Sequence, residues 1–416
     1  MKKLLLGLLL ISGLQIHAQN LNKYLELAAQ NNPKLNSKYK LYLAALEKVD
    51  QNGSLPDPTL SFGYFISPVE TRVGPQNMRF SLSQMFPWMG TRAVRKQVAS
   101  SWAKAMFEEF QEEKSKLFLA VQSKWLKLYE LGEEIKIHKQ NLKFLQSYEP
   151  ITQTKYESNL VSLTDLVRVQ IQIQEAQTEL ELFRINQEIA RGEFNELLNR
   201  PLSMGVNTEI AVIESPFIDP ESDSLKMNQP QLKAAQERLN ALNYQLELTK
   251  LQRRPNLGVG LDYALVGKRN DVSIPDNGKD ILMPMVSFSL PVFGKKNRAL
   301  QQEAMLQKES TELEIVSIKN SLLNEWRKTE LSASYASKQL SLYEKEIEKT
   351  ELLLRVLTSE YTNANTSFEE LLLTQQKLLL IKLAEVKARV NLQQVSFQKQ
   401  YLTGYHMSDN QEKNEE

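Results

Sequence analysis

The sequence has no cysteine among its 416 residues. That excludes a disulfide framework, a thiolate metal site and a lipid carried on an N-terminal cysteine. Histidine is almost as scarce, at three copies, His17, His138 and His406. Glycine and proline number 15 each, low for an all-β chain of this length, so long helices are the first expectation. No glycine-rich phosphate loop is present, and acidic residues are spread out instead of gathering into a catalytic set. Nothing points to a cofactor or to an enzyme. An excess of one charge is also missing, since 51 Lys and Arg face 50 Asp and Glu. A dedicated nucleic-acid binder needs a basic surface, so nucleic acid is not expected as a partner. Apolar content of 42% and charged content of 24% exclude a disordered chain and a helical membrane bundle. The length allows two or three average domains.

Residues 1–18 stand apart. Met1-Lys2-Lys3 is basic, Leu4 to Leu14 is apolar, and the stretch closes at Ala18. This is read as a secretory signal rather than a buried helix, because the apolar run is too short to span a bilayer. The mature chain is expected to start near Gln19, with His17 leaving with the signal.

The remainder of the chain is a duplication. NNPKLNSKYKLY from Asn31 returns as NQPQLKAAQERL from Asn228, and Pro33 and Pro230 are 197 residues apart. The same lag pairs Leu35 with Leu232, Pro58 with Pro255, Leu60 with Leu257 and Gly63 with Gly260. It becomes 204 at Pro87 and Pro291, and 205 at Tyr156 and Tyr361, Ser162 and Ser367, and Leu166 and Leu371. An ordered series with small lag changes indicates a duplicated half-protein. The first repeat is expected over 19–198, with a β-hairpin at 58–87 and a long helical hairpin at 91–198. A linker covers 199–229. The second repeat covers 230–403, with a β-hairpin at 255–291 and a helical hairpin at 294–403, and a polar tail fills 404–416.

Each copy has one plan. A helix of about 22 residues opens after the proline, which a first helical turn tolerates. Strict alternation then predicts a strand, with Leu60, Phe62, Tyr64 and Ile66 on one face and Thr59, Ser61 and Gly63 on the other. In the second copy Leu257, Val259, Leu261 and Tyr263 alternate with Asn256, Gly258, Gly260 and Asp262. The polar stretches SPVETRVGPQN and VGKRNDVSIPDNGKD are read as loops to the returning strands. After MFPWMGTR and SLPVFGKKNR the period changes. Val121, Leu128, Ile135 and Leu142 fall seven apart, as do Leu166, Ile173 and Leu180 beyond a break expected near Glu149-Pro150. Seven-residue stripes indicate coiled-coil packing. An outgoing helix of about 58 residues from Thr91 would span roughly 87 Å at 1.5 Å per residue, so each copy is expected to be rod-like.

Four strands cannot close a barrel, and an open edge in hydrocarbon leaves backbone groups without partners. The apolar/polar alternation fits a lipid-facing barrel wall shared between chains. It also fits a small sheet with one wet face. At this point the chain resembles the outer-membrane efflux (TolC-like) family. The resemblance rests on the duplicated NxPxL openings, the hairpins near DPTLSFG and RPNLGVG, and the turns YESNLVSLTDL and YTNANTSFEEL. Within the family the stretches VETRVGPQ and QMFPWMG are similar to the heavy-metal efflux subgroup. The resemblance implies a homotrimer, mainly α with a membrane β-barrel portion: a twelve-stranded barrel in outer-membrane lipid continued by an α-helical tunnel into the periplasm. It implies docking to a periplasmic adaptor (membrane fusion) protein and an inner-membrane pump. The function so implied is an exit duct for a tripartite efflux pump or a type I secretion system. The alternative is a soluble periplasmic coiled-coil adaptor or spacer.

In the family the turns read roughly Tyr-x-x-Gly-x-x-Ser-x-x-Asp-Leu; here Asn159 and Ala364 replace the glycine. The resemblance places an acidic ring of the periplasmic entrance at Glu370, with Glu369 adjacent and Asp165 as counterpart in the first copy. Carboxylates in a first helical turn also serve the helix dipole. Tyr156, Tyr361 and Arg168 would hold a closed tip or simply pack. Asn159, Ser162, Ala364 and Ser367 would face the adaptor. His138, on the stripe of Leu131 and Leu145, is read as a packing residue. Met78, Met85 and Met89 raise a copper reading, against which stands the ordinary use of Met on apolar surfaces; no metal site is expected. Trp88 and Phe86 are read as an interfacial aromatic pair.

Overall fold

Helices α1 (Gln19–Asn31) and α2 (Pro33–Gly53) meet at Asn32, and the reason is local. The Asn32 side-chain oxygen accepts from Leu35 N at 3.1 Å, capping α2, while its Nδ2 donates to Leu197 O at 3.0 Å. Proline then takes the first helical position, where no N–H is needed. A longer side chain makes a like donation before the second opening proline. Gln229, before Pro230, donates from Nε2 to Tyr401 O at 2.5 Å. The computed structural model describes residues 19–208, 228–271, 273–362 and 368–404. The signal segment, the greater part of the linker, Ala364, Ser367 and the tail from 405 lie outside them.

The remaining elements are β1 (Thr59–Thr71), β2 (Gly74–Phe86), α3 (Thr91–Glu157), α4 (Leu163–Leu197), α5 (Pro230–Leu251), β3 (Asn256–Val266), β4 (Ile281–Ser289), α6 (Gly294–Thr362) and α7 (Phe368–Thr403). They fall into two compact units. The first takes in residues up to 37, 111–230 and 319 onward; the second takes in 38–110 and 231–318.

The first unit is helical. The seven-spaced residues Val121, Leu128 and Ile135 of α3 are buried, as are Leu166, Ile173 and Leu180 of α4. α3 runs through Pro150 to Glu157, past the expected break. An interior proline costs about 3 kcal/mol. Here Leu145, Tyr148 and Thr152, on either side of it, are all buried, and that packing offsets the lost hydrogen bond.

The second unit holds the sheet. All pairs are antiparallel in the order β1-β2-β3-β4. The stretch read as the first loop is mostly strand. The register shifts between Tyr64 and Val69, absorbing Pro68, and the ladder resumes from Val69↔Gln76 to Thr71↔Gly74. Between β3 and β4, Asn277 clasps Arg269 through both backbone groups, at 2.8 and 2.9 Å. Asp280 accepts from Tyr263 Oη at 2.5 Å and Val266 N at 3.0 Å. One face of the sheet is apolar and uncovered within the chain; Ile66 is 92% exposed and Leu60 71%.

The closed, twelve-stranded trimeric barrel and tunnel expected from the family resemblance is corrected by this sheet. The described residues have a mainly helical fold with one small open sheet, whose ladders join only consecutive strands and leave β1 and β4 as edges. Closure requires strand number, tilt and shear to agree, and four strands do not bring β4 round to β1. The transmembrane, trimeric and outer-membrane assignments rested on that barrel and are withdrawn with it. Among the described residues no helix is long and apolar enough to cross a membrane.

Gly74 has φ +134°, and a Cβ there would lie 1.8 Å from the Gly267 carbonyl oxygen. Gly74→Ala is therefore expected to destabilise the sheet by about 1–3 kcal/mol or more. A thermal melt unchanged from the parent chain would refute the close approach.

Candidate functional site

Among the described residues the helices carry no catalytic constellation, so the turns of the first unit are the place to look. α3 ends in a left-handed residue. Asn159 has φ 57°, Leu160 N donates to Lys155 O at 2.9 Å, and Asn159 N donates to Tyr156 O at 2.9 Å. These are the two bonds of a Schellman motif, and Asn is the usual substitute for Gly at its left-handed position. The replaced glycine thus leaves the turn intact. Asn199 ends α4 in the same way, with φ 49° and Arg200 N donating to Asn195 O at 3.2 Å.

α4 then starts with a capping box. Asp165 N donates to Ser162 Oγ at 3.3 Å, and Ser162 N donates to Asp165 Oδ2 at 3.1 Å. Ser162 Oγ also donates to Asp165 Oδ2 at 2.8 Å. Asp165 is engaged in starting its helix, which is the dipole-and-cap use of a first-turn carboxylate.

The two tyrosines at corresponding positions differ. Tyr156 is exposed, whereas Tyr361 is 1% exposed and central to an aromatic core. Its ring centroid lies 5.3 Å from Phe368 and 6.2 Å from Tyr148. The Tyr361 hydroxyl lies 3.2 Å from Thr152 Oγ1, and Tyr148 Oη donates to Thr358 Oγ1 at 2.9 Å. Lys155 Nζ sits 4.0 Å from the Tyr361 ring centroid and also donates to the Tyr361 carbonyl. This core ties the end of α3 to α6 and α7. Burial pushes both tyrosine hydroxyls above their ordinary pKa, and for Tyr361 the Thr152 bond opposes the shift while Asp165 and Tyr148 add to it.

Arg168 of α4 reaches Glu369 of α7 at 3.4 Å, both half-exposed or more. Glu370 is exposed beside it. Asn159 and Ser162 are exposed, and Ala364 and Ser367 lie outside the described residues. The turns therefore bring Tyr361 together with Lys155 and Thr152, and Arg168 with Glu369; they leave Tyr156 outside the core. Lys155, Thr152 and Phe368 carry no period or motif in the sequence that marks them. His138 is buried against Phe183, ring centroids 4.4 Å apart, with Nδ1 3.4 Å from Glu179 Oε2. Burial lowers its pKa, Glu179 opposing. Among the described residues no group of three or more His, Cys, Asp or Glu is placed to hold a metal ion.

Tyr361→Phe is expected to cost about 0.5–2 kcal/mol, and Tyr361→Ala about 3–5, by denaturant unfolding. Asn159→Gly should be neutral within a few tenths, whereas Asn159→Val should cost about 1–2 kcal/mol. Arg168→Ala should stay below about 1 kcal/mol, as an exposed pair does. The pH dependence has a definite sign. The unfolded tyrosines ionise near pH 10 while the buried ones stay neutral beyond it, so their contribution is fully present below about pH 10 and lost as pH rises further. A urea midpoint that stays flat from pH 9 to 11 would contradict the burial of Tyr148 and Tyr361.

Comparison with known proteins bears on these elements. Residues 222–398 match the family model described as outer membrane efflux protein. No curated protein matches the chain by sequence. Among solved structures, the outer-membrane channel OprN superposes with a TM-score of 0.81 at 16% identity, over 93% of this chain and 90% of that one. The outer membrane protein VceC from Vibrio cholerae gives 0.78 at 16%, over 94% and 97%. CusC gives 0.79 at 13%, over 93% and 92%. At these identities the superpositions establish the fold. Over residues 222–398 the chain is thus similar in sequence to the outer membrane efflux proteins, and over nearly its whole length it has the fold shared by OprN, VceC and CusC.

Proposed function

We propose that this chain is a periplasmic coiled-coil spacer of an efflux assembly, a passive structural part without chemistry of its own. The observation that carries the reading is the continuity of α3 and α6, of 67 and 69 residues. Each is about 100 Å long at 1.5 Å per residue. The exit-duct reading is corrected: a duct needs a closed wall, and the strands form an open four-stranded sheet. The two repeats, 19–198 and 230–403, are proposed as halves of one duplicated unit.

The turns of the first unit are proposed as the partner-facing part. Tyr156, Asn159 and Ser162 are presented there, and the Arg168–Glu369 pair and Glu370 supply charge. An adaptor protein and, through it, an inner-membrane pump are the partner classes that the family suggests. α4 carries a further apolar stripe, Val167, Ile171, Leu182, Ile185 and Ile189, that the chain leaves exposed. Such a stripe fits helix packing against another chain of the assembly, to which the uncovered face of the sheet is assigned as well. A finer place in the heavy-metal efflux subgroup rests on VETRVGPQ and QMFPWMG; CusC stands beside OprN and VceC at similar TM-scores, so the fold expresses no preference.

The deciding experiment is extraction from cell envelopes. A spacer held by protein contacts is expected to leave with alkaline or high-salt washing, without detergent. Retention until detergent is added would overturn the spacer and assign the apolar face of the sheet to lipid.

A further inference from the structure

Beside the aromatic core of the first unit, α3, α6 and α7 leave a cavity of about 310 Å³ between them. That volume falls at the low end of the range for small-molecule sites. Ile137 and Phe144 of α3, Leu354 of α6, and Leu378 and Leu379 of α7 give it apolar walls from all three helices. Gln375, Leu378 and Lys382 recur at the three- and four-residue spacing that puts side chains on one face of a helix.

The polar groups of the lining are unevenly served. Gln375 is 8% exposed, and its Nε2 donates to Asn141 Oδ1 at 2.9 Å, yet its Oε1 is shut from water and accepts nothing. Buried acceptors are nearly always met, and one left unmet is costly. The charges are uneven too. Lys382 Nζ pairs with Glu351 Oε1 at 2.6 Å, so those two cancel. Arg355, one turn from Glu351, is exposed at the rim and makes no hydrogen bond or ion pair with any described residue. The cavity thus combines apolar walls, an unmet acceptor and one uncompensated positive charge. A metal cation would meet that charge and a carboxylate already engaged. An inorganic anion would satisfy Arg355 and leave the apolar walls uncovered. A molecule that answers all three features has an anionic group, an apolar body and a hydrogen-bond donor.

We propose that this cavity binds a small amphipathic organic acid: its carboxylate pairs with the Arg355 guanidinium, its apolar body lies on Leu354 and Leu378, and its donor serves Gln375. A guanidinium fork suits a carboxylate in particular, since it can donate two parallel N–H bonds. The site lies within the first unit, uses none of the turn residues assigned to a partner, and does not rest on the spacer reading. The test is a 19F NMR titration of the full chain with 5-fluoroindole-3-propionate, which carries a carboxylate, a two-ring apolar body and an indole N–H. Binding should saturate at one equivalent. The primary amide of the same compound, which lacks the charge, should bind about threefold more weakly or worse, and Arg355→Glu should weaken binding of the acid about fivefold or more. Gln375→Leu should weaken the parent compound and leave its N-methyl analogue, which has no donor, unaffected. An absence of saturable binding would overturn the site, as would an amide that binds like the acid or an Arg355→Glu variant that binds like the parent chain. Arg355 would then be an ordinary solvated arginine. Should a variant fail to fold, the comparison of acid with amide on the parent chain still decides.

Discussion

The second unit depends on one ladder, that between β2 and β3. It runs from Phe86↔Leu257 to Gln76↔Val266 and joins two hairpins that belong to different halves of the sequence. Each hairpin alone would be marginal in water, because a two-stranded ribbon buries too little. The chain leaves this unit along α3 and re-enters it at α5, so the join closes a very long loop. Closure entropy grows only logarithmically, by about 0.6 kcal/mol for each doubling of length. The ladder can therefore stand if the intervening helices are themselves ordered. Their order comes from the buried seven-residue stripes of α3 and α4, not from the sheet.

Helix ends in the first unit are set by short polar side chains instead of by apolar packing. Asn32 and Gln229 hold the carbonyls of Leu197 and Tyr401 just before the two opening prolines. Asn159 and Asn199 turn the chain at the ends of α3 and α4. In each case a side-chain amide serves. Near the prolines it donates to a carbonyl of a distant helix; at the turns it tolerates the left-handed backbone. Gln229, with one more methylene, makes the same kind of donation to a distant carbonyl that Asn32 makes.

Much of this was legible because it is periodic. Alternation at Leu60, Phe62 and Tyr64 located the first strand, and sevenfold spacing at Val121, Leu128 and Ile135 located the buried face of α3. Pro150 misled because the penalty of an interior proline is local, while the packing of Tyr148 and Thr152 that offsets it comes from α6 and α7. SPVETRVGPQN misled in the same sense: Gly and Pro signal a loop, yet a shift of register absorbs Pro68 and the strand goes on. The lag of 205 pairs Tyr156 with Tyr361. It could not show that one is exposed and the other a core residue, since that difference lies in Thr152, Lys155 and Phe368, which no period marks.

The closed barrel failed for a related reason. Alternation states which face of a strand is apolar, and the uncovered Leu60 and Ile66 bear that out. It carries no information about what lies beyond an edge. Whether β1 meets β4, or neither meets anything within the chain, depends on strand number and shear, which are properties of the whole sheet.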